Sequence, residues 1–178
     1  VKFGVENGYL HKEEQHDPCL KYFAPPEAEK LTKAGIEFHW FGYYHKWIPQ
    51  ENFYYVSEHY GFRTNPEGHS EGTYNKYASL DDFTDPIHYY FSLIKFGLGR
   101  ATSDAAHEIR ENHLTREEGV ALVHQYDHIF PDKYFTEFLN YMDMTEEEFW
   151  DVVNAYREKR PNLWKKENGK WILKQRVA

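Results

Sequence analysis

Apolar positions recur with a helical period through the second half of the chain. Tyr134/Phe135/Phe138/Tyr141 and Phe149/Val152/Val153/Tyr156 fall at three- and four-residue spacing, the mark of one buried helix face. The stretch "PIHYYFSLIKFG", starting at Pro86, is apolar nearly all round, which predicts a helix buried on most of its surface. Thr115-Arg-Glu-Glu118 and Thr145-Glu-Glu-Glu148 each place a carboxylate three residues after a hydroxyl, predicting capping boxes ahead of "GVALVHQYDHIF" and "FWDVVNAYREKR". Pro131 opens a further helix, "PDKYFTEFLNYMD". Upstream, the pattern predicts a short helix from Pro26 to Gly35 and a longer one from Pro49 to Gly61, each begun by proline and ended by glycine. The closing "LWKKENGKWILK" predicts a hairpin on Asn168-Gly169.

Elsewhere the period breaks. "VKFGVENGYL" reads as a short strand, Val1 to Val5, entering a Glu-Asn-Gly turn with nothing before it to pair with. Residues 11–25 read as a polar loop, and "IEFHWFGYYHKW" as a short strand or an aromatic turn. Residues 62–85 are rich in turn formers and predict a long loop, of a length that is usually either functional or disordered. The expected fold is therefore mainly α, with a short N-terminal strand and a C-terminal β-hairpin. The expected organisation is one domain over residues 1–178. Strand and polar loop occupy 1–25, helices with a long aromatic loop 26–85, a helical bundle 86–162 and the hairpin 163–174. The unpaired opening strand leads us to expect the C-terminal part of a longer chain.

A length of 178 residues with 40% hydrophobic content supports one core. A net charge of -8 argues against nucleic acid or an anionic membrane as partner, since both demand clustered Lys and Arg. No run approaches the roughly 20 apolar residues of a membrane helix, so no membrane insertion is expected. A single cysteine, Cys19, cannot form an internal disulfide, and a cytoplasmic location is expected. Aromatic residues make up 19% of the chain, enough to serve sugar stacking or partner contacts beyond the core.

The chemistry concentrates in "KFGLGRATSDAAHEIRENH", Lys95 to His113. Gly97 and Gly99 precede a helix whose expected N-cap is Thr102 or Ser103, and Lys95 and Arg100 flank it. Free N–H groups and cations at a helix start suit a phosphate. Arg100, Asp104, His107 and Glu108 lie three to four residues apart on one face, with Arg110 a turn further on. A capped surface helix with intrahelical ion pairs fits the same spacing and stays open as a reading. Asp104-x-x-His107 lacks a third metal ligand; Asp81 and Asp82 could hold Mg²⁺ or cap the next segment. Glu6 and Asn7 follow the opening strand, where sites of α/β sheets often sit.

Taken together, "FGYYHKWIPQE", "GTYNKYASLDD", "FGLGRATSDAAHEIR", "LTREEGVALV", "YDHIFPDKYFTEFLNYMDMTEEEFWDVV" and "LWKKENGKW" resemble, in order, the C-terminal portion of the N-acetyl sugar amidotransferases of bacterial surface-polysaccharide synthesis. The resemblance runs from about Ile36 to Trp171. It implies the helical end of an α/β ATP-pyrophosphatase-like enzyme. The Ser-Gly-Gly-x-Asp-Ser-type phosphate loop and the cysteine-rich zinc segment of the family are absent from this sequence. The family's strand plus Gly-Glu-Asn element is echoed by Phe3-Gly4-Val5-Glu6-Asn7-Gly8, but "YLHKEEQH" replaces its usual Tyr-Gly-Gly.

The implied reaction turns the acetamido group of a (nucleotide-)sugar into an acetamidino group, for O-antigen or lipopolysaccharide synthesis. ATP and Mg²⁺ are the implied cofactors, and ammonia comes from glutaminase and cyclase-like partners. On residue chemistry, Asp104, His107 and Glu108 would serve sugar hydroxyls or proton transfer. Lys95, Gly97, Gly99, Arg100, Thr102 and Arg110 would serve phosphates; Tyr74 and Tyr77 would stack on the sugar, and Glu6 and Asn7 would edge the site. The alternative is a non-catalytic helical module for protein assembly, with Trp40, Phe41 and Trp47 at an interface.

Overall fold

The computed structural model describes residues 2–23 and 26–177. Their contacts divide into two units, Val1–Lys46 and Trp47–Ala178, and the hydrophobic core lies entirely in the second.

In the first unit, the segment expected to be a strand is helical, α1 (Lys2–Glu6); Val1 lies outside the described residues. With no strand to pair with, its backbone is satisfied locally. Asn7 N–H donates to the Phe3 carbonyl at 3.1 Å, and Tyr9 N–H to that of Gly4 at 2.8 Å. The region expected as a polar loop contains two 3₁₀ turns, Lys12–His16 and Pro18–Tyr22. The Asp17 side chain opens the second by accepting from the Cys19 N–H at 2.7 Å. Next come α2 (Ala28–Ala34), closed by Gly35 at φ 61°, and α3 (Phe41–Tyr44), a single helical turn where a strand or aromatic turn was expected.

The second unit begins with α4 (Pro49–Tyr60), capped by Gly61 in the left-handed region as its sequence predicts. A long irregular stretch leads to α5 (Asp85–Phe96), which buries Ile87, Tyr89, Tyr90, Leu93 and Ile94. Then follow α6 (Arg100–Arg110), α7 (Arg116–Tyr126), α8 (Phe135–Tyr141) and α9 (Glu146–Glu158). Both expected capping boxes form: Thr115 with Glu118 opens α7, and Thr145 with Glu148 opens α9. Strands β1 (Trp164–Glu167) and β2 (Lys170–Leu173) pair antiparallel around Asn168-Gly169. Both turn residues have positive φ, as a two-residue hairpin of this hand requires.

Packing follows the two predicted faces. Ile87, Tyr90 and Ile94 of α5 meet Phe149 and Val153 of α9, and Trp164 closes the cluster. Phe149, 1% exposed, is ringed by Phe91, Phe130, Phe135, Phe138 and Trp150 at centroid distances of 4.8 to 6.2 Å. The Trp164 indole N–H donates to the Ile94 carbonyl at 2.8 Å, satisfying one of the orphan acceptors in the last turn of α5. Helices α6 and α7 approach closely at Gly119, where an added Cβ would stand 2.6 Å from Ile109 Cδ1. That contact fixes which face of α6 turns inward and leaves the Arg100/Asp104/His107/Glu108 face for the site. No helix among the described residues is long and apolar enough to cross a membrane.

Candidate functional site

The long irregular stretch is fastened along α6 by three successive bonds. Ala101 N–H donates to the Gly72 carbonyl at 2.9 Å, the Thr73 hydroxyl to Asp104 Oδ2 at 2.7 Å, and the Tyr74 hydroxyl to Glu108 Oε1 at 3.1 Å. Asn75 then turns the chain, its Oδ1 accepting from the N–H groups of Tyr77 and Ala78 at 2.8 and 3.0 Å. The sequence thus places a Thr-Tyr-Asn tripeptide where each side chain has a task, two gripping the helix and one making the turn.

A cavity of about 170 Å³ lies along this seam. Arg100, Ser103, Asp104, His107 and Glu108 supply the α6 wall, facing Asn75 and Tyr77 from the loop and Gln50 from the first turn of α4. Tyr77 donates its hydroxyl to Gln50 Oε1 at 3.1 Å, joining loop and helix across the cavity. His113, at the end of this run, pairs with Glu51 at 3.4 Å.

Asp104 is only 9% exposed, and both of its oxygens are occupied. Oδ2 accepts from Thr73; Oδ1 accepts from Arg100 Nε at 2.8 Å. Arg100 is further held over the Tyr89 ring, 5.3 Å from its centroid. Burial opposes the guanidinium charge, but Asp104, Tyr89 and Asp85 outweigh it and hold its pKa above the usual value. Asp104 therefore acts as the anchor of an aimed, permanently charged arginine.

Glu108 is in a different position. Burial chiefly, with the nearby Asp104 charge, raises its pKa above the ordinary carboxylate value, against the opposing pull of the Tyr74 hydrogen bond and His113. The tyrosines respond in turn. Burial, then Glu108 and Asp104, push Tyr77 up to about 12, and burial with Glu108 raises Tyr74 further. Both phenols stay neutral donors at physiological pH. The cavity thus offers the fixed cation of Arg100, the carboxyls of Glu108 and Glu111, the neutral phenol of Tyr77 and the amides of Asn75 and Gln50, a mix of donors and acceptors that matches ring hydroxyls and an amide group.

The start of α6 is different. Its N-cap is Gly99, with no side-chain cap of its own, in place of the expected Thr102 or Ser103. The cap comes instead from Asp127, at the C-terminus of α7. Its carboxylate accepts from Gly99 N–H at 2.8 Å, Thr102 N–H at 3.1 Å and the Thr102 hydroxyl at 2.8 Å. Gly99 is required here, since a Cβ would lie 2.5 Å from Asp127 Oδ1. The helix start expected to receive a phosphate already holds a protein carboxylate, so it does not fit the phosphates of ATP. This corrects the reading of Gly99 and Thr102 as phosphate ligands. No feature of the local sequence signals it, because the capping residue lies 28 positions from Gly99.

A family model described as LPS biosynthesis protein WbpG-like, C-terminal domain, matches residues 71–178. The chain belongs to this family. The match includes the loop grip, α5 to α9 and the hairpin, and within it all of the α6 wall. No curated protein matches the chain closely enough to add a relative by sequence. Membership places the protein in lipopolysaccharide biosynthesis and accords with the mainly helical C-terminal portion expected from its motifs.

Of the residues singled out in the sequence, Arg100, Asp104, His107, Glu108 and Tyr77 share the cavity, and Tyr74 reaches it through Glu108. Lys95 does not: its ammonium lies over the rings of Tyr156 and Phe91, at 5.1 and 5.9 Å. Gly97 closes α5 at φ 74° and packs on Leu163 and Leu173. Arg110 is exposed at the far end of α6. Glu6 and Asn7 belong to the first unit, and the Asn7 amide donates to the Phe3 carbonyl at 2.9 Å. Asp82 accepts from both the N–H and the hydroxyl of Thr84, at 2.8 and 2.7 Å, making the local cap that competed with Mg²⁺ binding at Asp81 and Asp82. Among the described residues no group of three or more His, Cys, Asp or Glu is placed to hold a metal ion. The residues that sequence reasoning missed are Thr73, Gln50, Asn75, Ser103 and Asp127. All five stand inside the quoted family motifs, and Ser103 is a candidate cap in the sequence.

Proposed function

We propose that the α6 cavity is the sugar-binding wall of an N-acetyl sugar amidotransferase acting in lipopolysaccharide synthesis. The observation that carries this reading is that an Arg100 aimed by Asp104 and the Glu108 carboxyl share one cavity with the neutral donors of Asn75 and Tyr77. Arg100 and the Asn75 and Gln50 amides suit the acetamido carbonyl and ring hydroxyls. Glu108, poised by burial, suits proton exchange with a hydroxyl or the amide nitrogen, and His107 stands exposed at the rim. Asp104 is a positioning residue acting through Arg100.

ATP activation of the amide oxygen and Mg²⁺ binding are assigned to parts of the enzyme outside the α6 start, where Asp127 excludes phosphate. Ammonia would be delivered by glutaminase and cyclase-like partners. A second reading, an assembly module, draws on the exposure of Trp40, Phe41 and Trp47, at 75%, 64% and 64%.

The test is calorimetric titration with N-acetylglucosamine and N-acetylgalactosamine beside their free-amine counterparts. The enzyme reading expects saturable binding of an acetylated sugar, lost by about tenfold or more in Glu108→Gln and Arg100→Ala with melting temperature nearly kept. Equal binding of acetylated and free-amine sugars, or none by either, would favour the assembly module.

A further inference from the structure

A second cavity, of about 220 Å³, opens among α5, α7, α9, the hairpin and the segment that follows β2. Four basic side chains line it: Arg157, Arg176, His124 and His128. Its one acidic lining residue is Asp127, whose carboxylate is already occupied by Gly99 and Thr102. Among the described residues neither arginine makes an ion pair. In a chain of net charge -8 this is a local excess of positive charge facing one hollow.

Arg157 is held in place. Its Nη2 donates to the Tyr90 hydroxyl at 2.9 Å, and its guanidinium lies 5.0 Å from the centroid of the Trp164 ring. Its Nε is buried and has no acceptor in the protein. The Tyr90 and Trp164 contacts fix the guanidinium beside the hollow, where its charge favours an anion. Apolar surface lines the rest of the hollow. Trp171 commits its indole N–H to Asn154 Oδ1 at 3.0 Å, so its ring adds apolar surface. Leu93, Val123 and Leu173 extend it. His124 Nε2 donates to the Val177 carbonyl at 2.7 Å, which draws the segment carrying Arg176 to the rim.

We propose that this cavity binds a small organic phosphate monoester, its phosphate on the arginine and histidine side and its ring on the Trp171 side. The volume is below that of most drug-sized sites, which favours a ligand no larger than a mononucleotide. The proposal does not depend on the sugar reading of the α6 cavity.

The test is calorimetric titration of the chain with uridine 5′-monophosphate and glucose 1-phosphate, beside uridine, glucose and inorganic phosphate. At least one ester should bind saturably and about tenfold or more tighter than either of its halves, with affinity falling as salt rises. Arg176→Ala and His128→Ala, both on the rim, should weaken it about fivefold or more at unchanged melting temperature. Arg157→Lys tests the fixed guanidinium, with the melting temperature as control. Saturating N-acetylglucosamine should not displace the ester, and Glu108→Gln should bind it like the parent protein. The proposal fails if neither ester binds, if inorganic phosphate binds as tightly, or if both rim variants bind normally. It fails equally if the sugar or Glu108→Gln abolishes binding, which would place the ester in the α6 cavity.

Discussion

The start of α6 and the polar face of the same helix look alike in sequence, each a set of groups suited to an anion or a polar ligand, yet the protein treats them in opposite ways. At the helix start the Gly99 and Thr102 donors are taken by Asp127, and the Ala101 N–H by the Gly72 carbonyl. Along the side-chain face of the helix, from Arg100 to Glu108, the loop fastens only part of the polar wall and leaves a cavity beside it. A helix start is a site only when nothing in the protein caps it. The polar face of the same helix becomes one when its buttressing residues leave donors turned outward.

This contrast is broken most severely by Asp127→Ala. Losing the carboxylate strands buried donors and removes a favourable charge from a helix N-terminus, which should lower stability by about 2–4 kcal/mol in urea unfolding. The same variant should gain more stability from added phosphate than the parent protein does, because the helix start is then free. Gly99→Ala attacks the contact from the other side. Its methyl would meet Asp127 Oδ1 at 2.5 Å and Cγ at 2.8 Å, and we expect a loss of about 1–3 kcal/mol.

Glu108→Gln sharpens the contrast through pH. A carboxyl whose pKa is raised on folding binds more protons in the native than in the unfolded state. Stability is therefore lost as pH rises from the ordinary value of 4.5 through the folded pKa, and is level beyond it. Glutamine removes that slope, so the difference in unfolding midpoint between parent and variant should grow in favour of the variant over this window. The smallest effects are expected at Lys95→Ala and Arg110→Ala. These lie outside the cavity, and sugar affinity should stay within about twofold of the parent.

The sequence anticipated the elements whose information is local. The two capping boxes, the proline-to-glycine helix over 49–61 and the Asn-Gly hairpin each state their structure within a few residues, and all formed. The face Arg100/Asp104/His107/Glu108 was readable for the same reason, since helical spacing alone puts those side chains together. What was not readable came from distant partners. Asp127 caps a helix that begins far upstream, Thr73 occupies one oxygen of Asp104, and α1 forms where a strand lacked a mate. In each case the residue type was visible and its partner was not. Gly99 shows how such a contact leaves a trace, as a glycine where no turn needs positive φ.

The central claim is that sugar binds along the polar face of α6 from Arg100 to Glu108, while the N–H groups at the helix start are closed by Asp127. The direct measurement is a backbone-amide NMR titration of the chain with N-acetylglucosamine. The account predicts concentration-dependent shifts at Gln50, Asn75, Tyr77, Ser103, His107 and Glu108, with Gly99 and Thr102 nearly still behind Asp127. Shifts centred on Gly99 to Thr102 with the Glu108 face unmoved would contradict it.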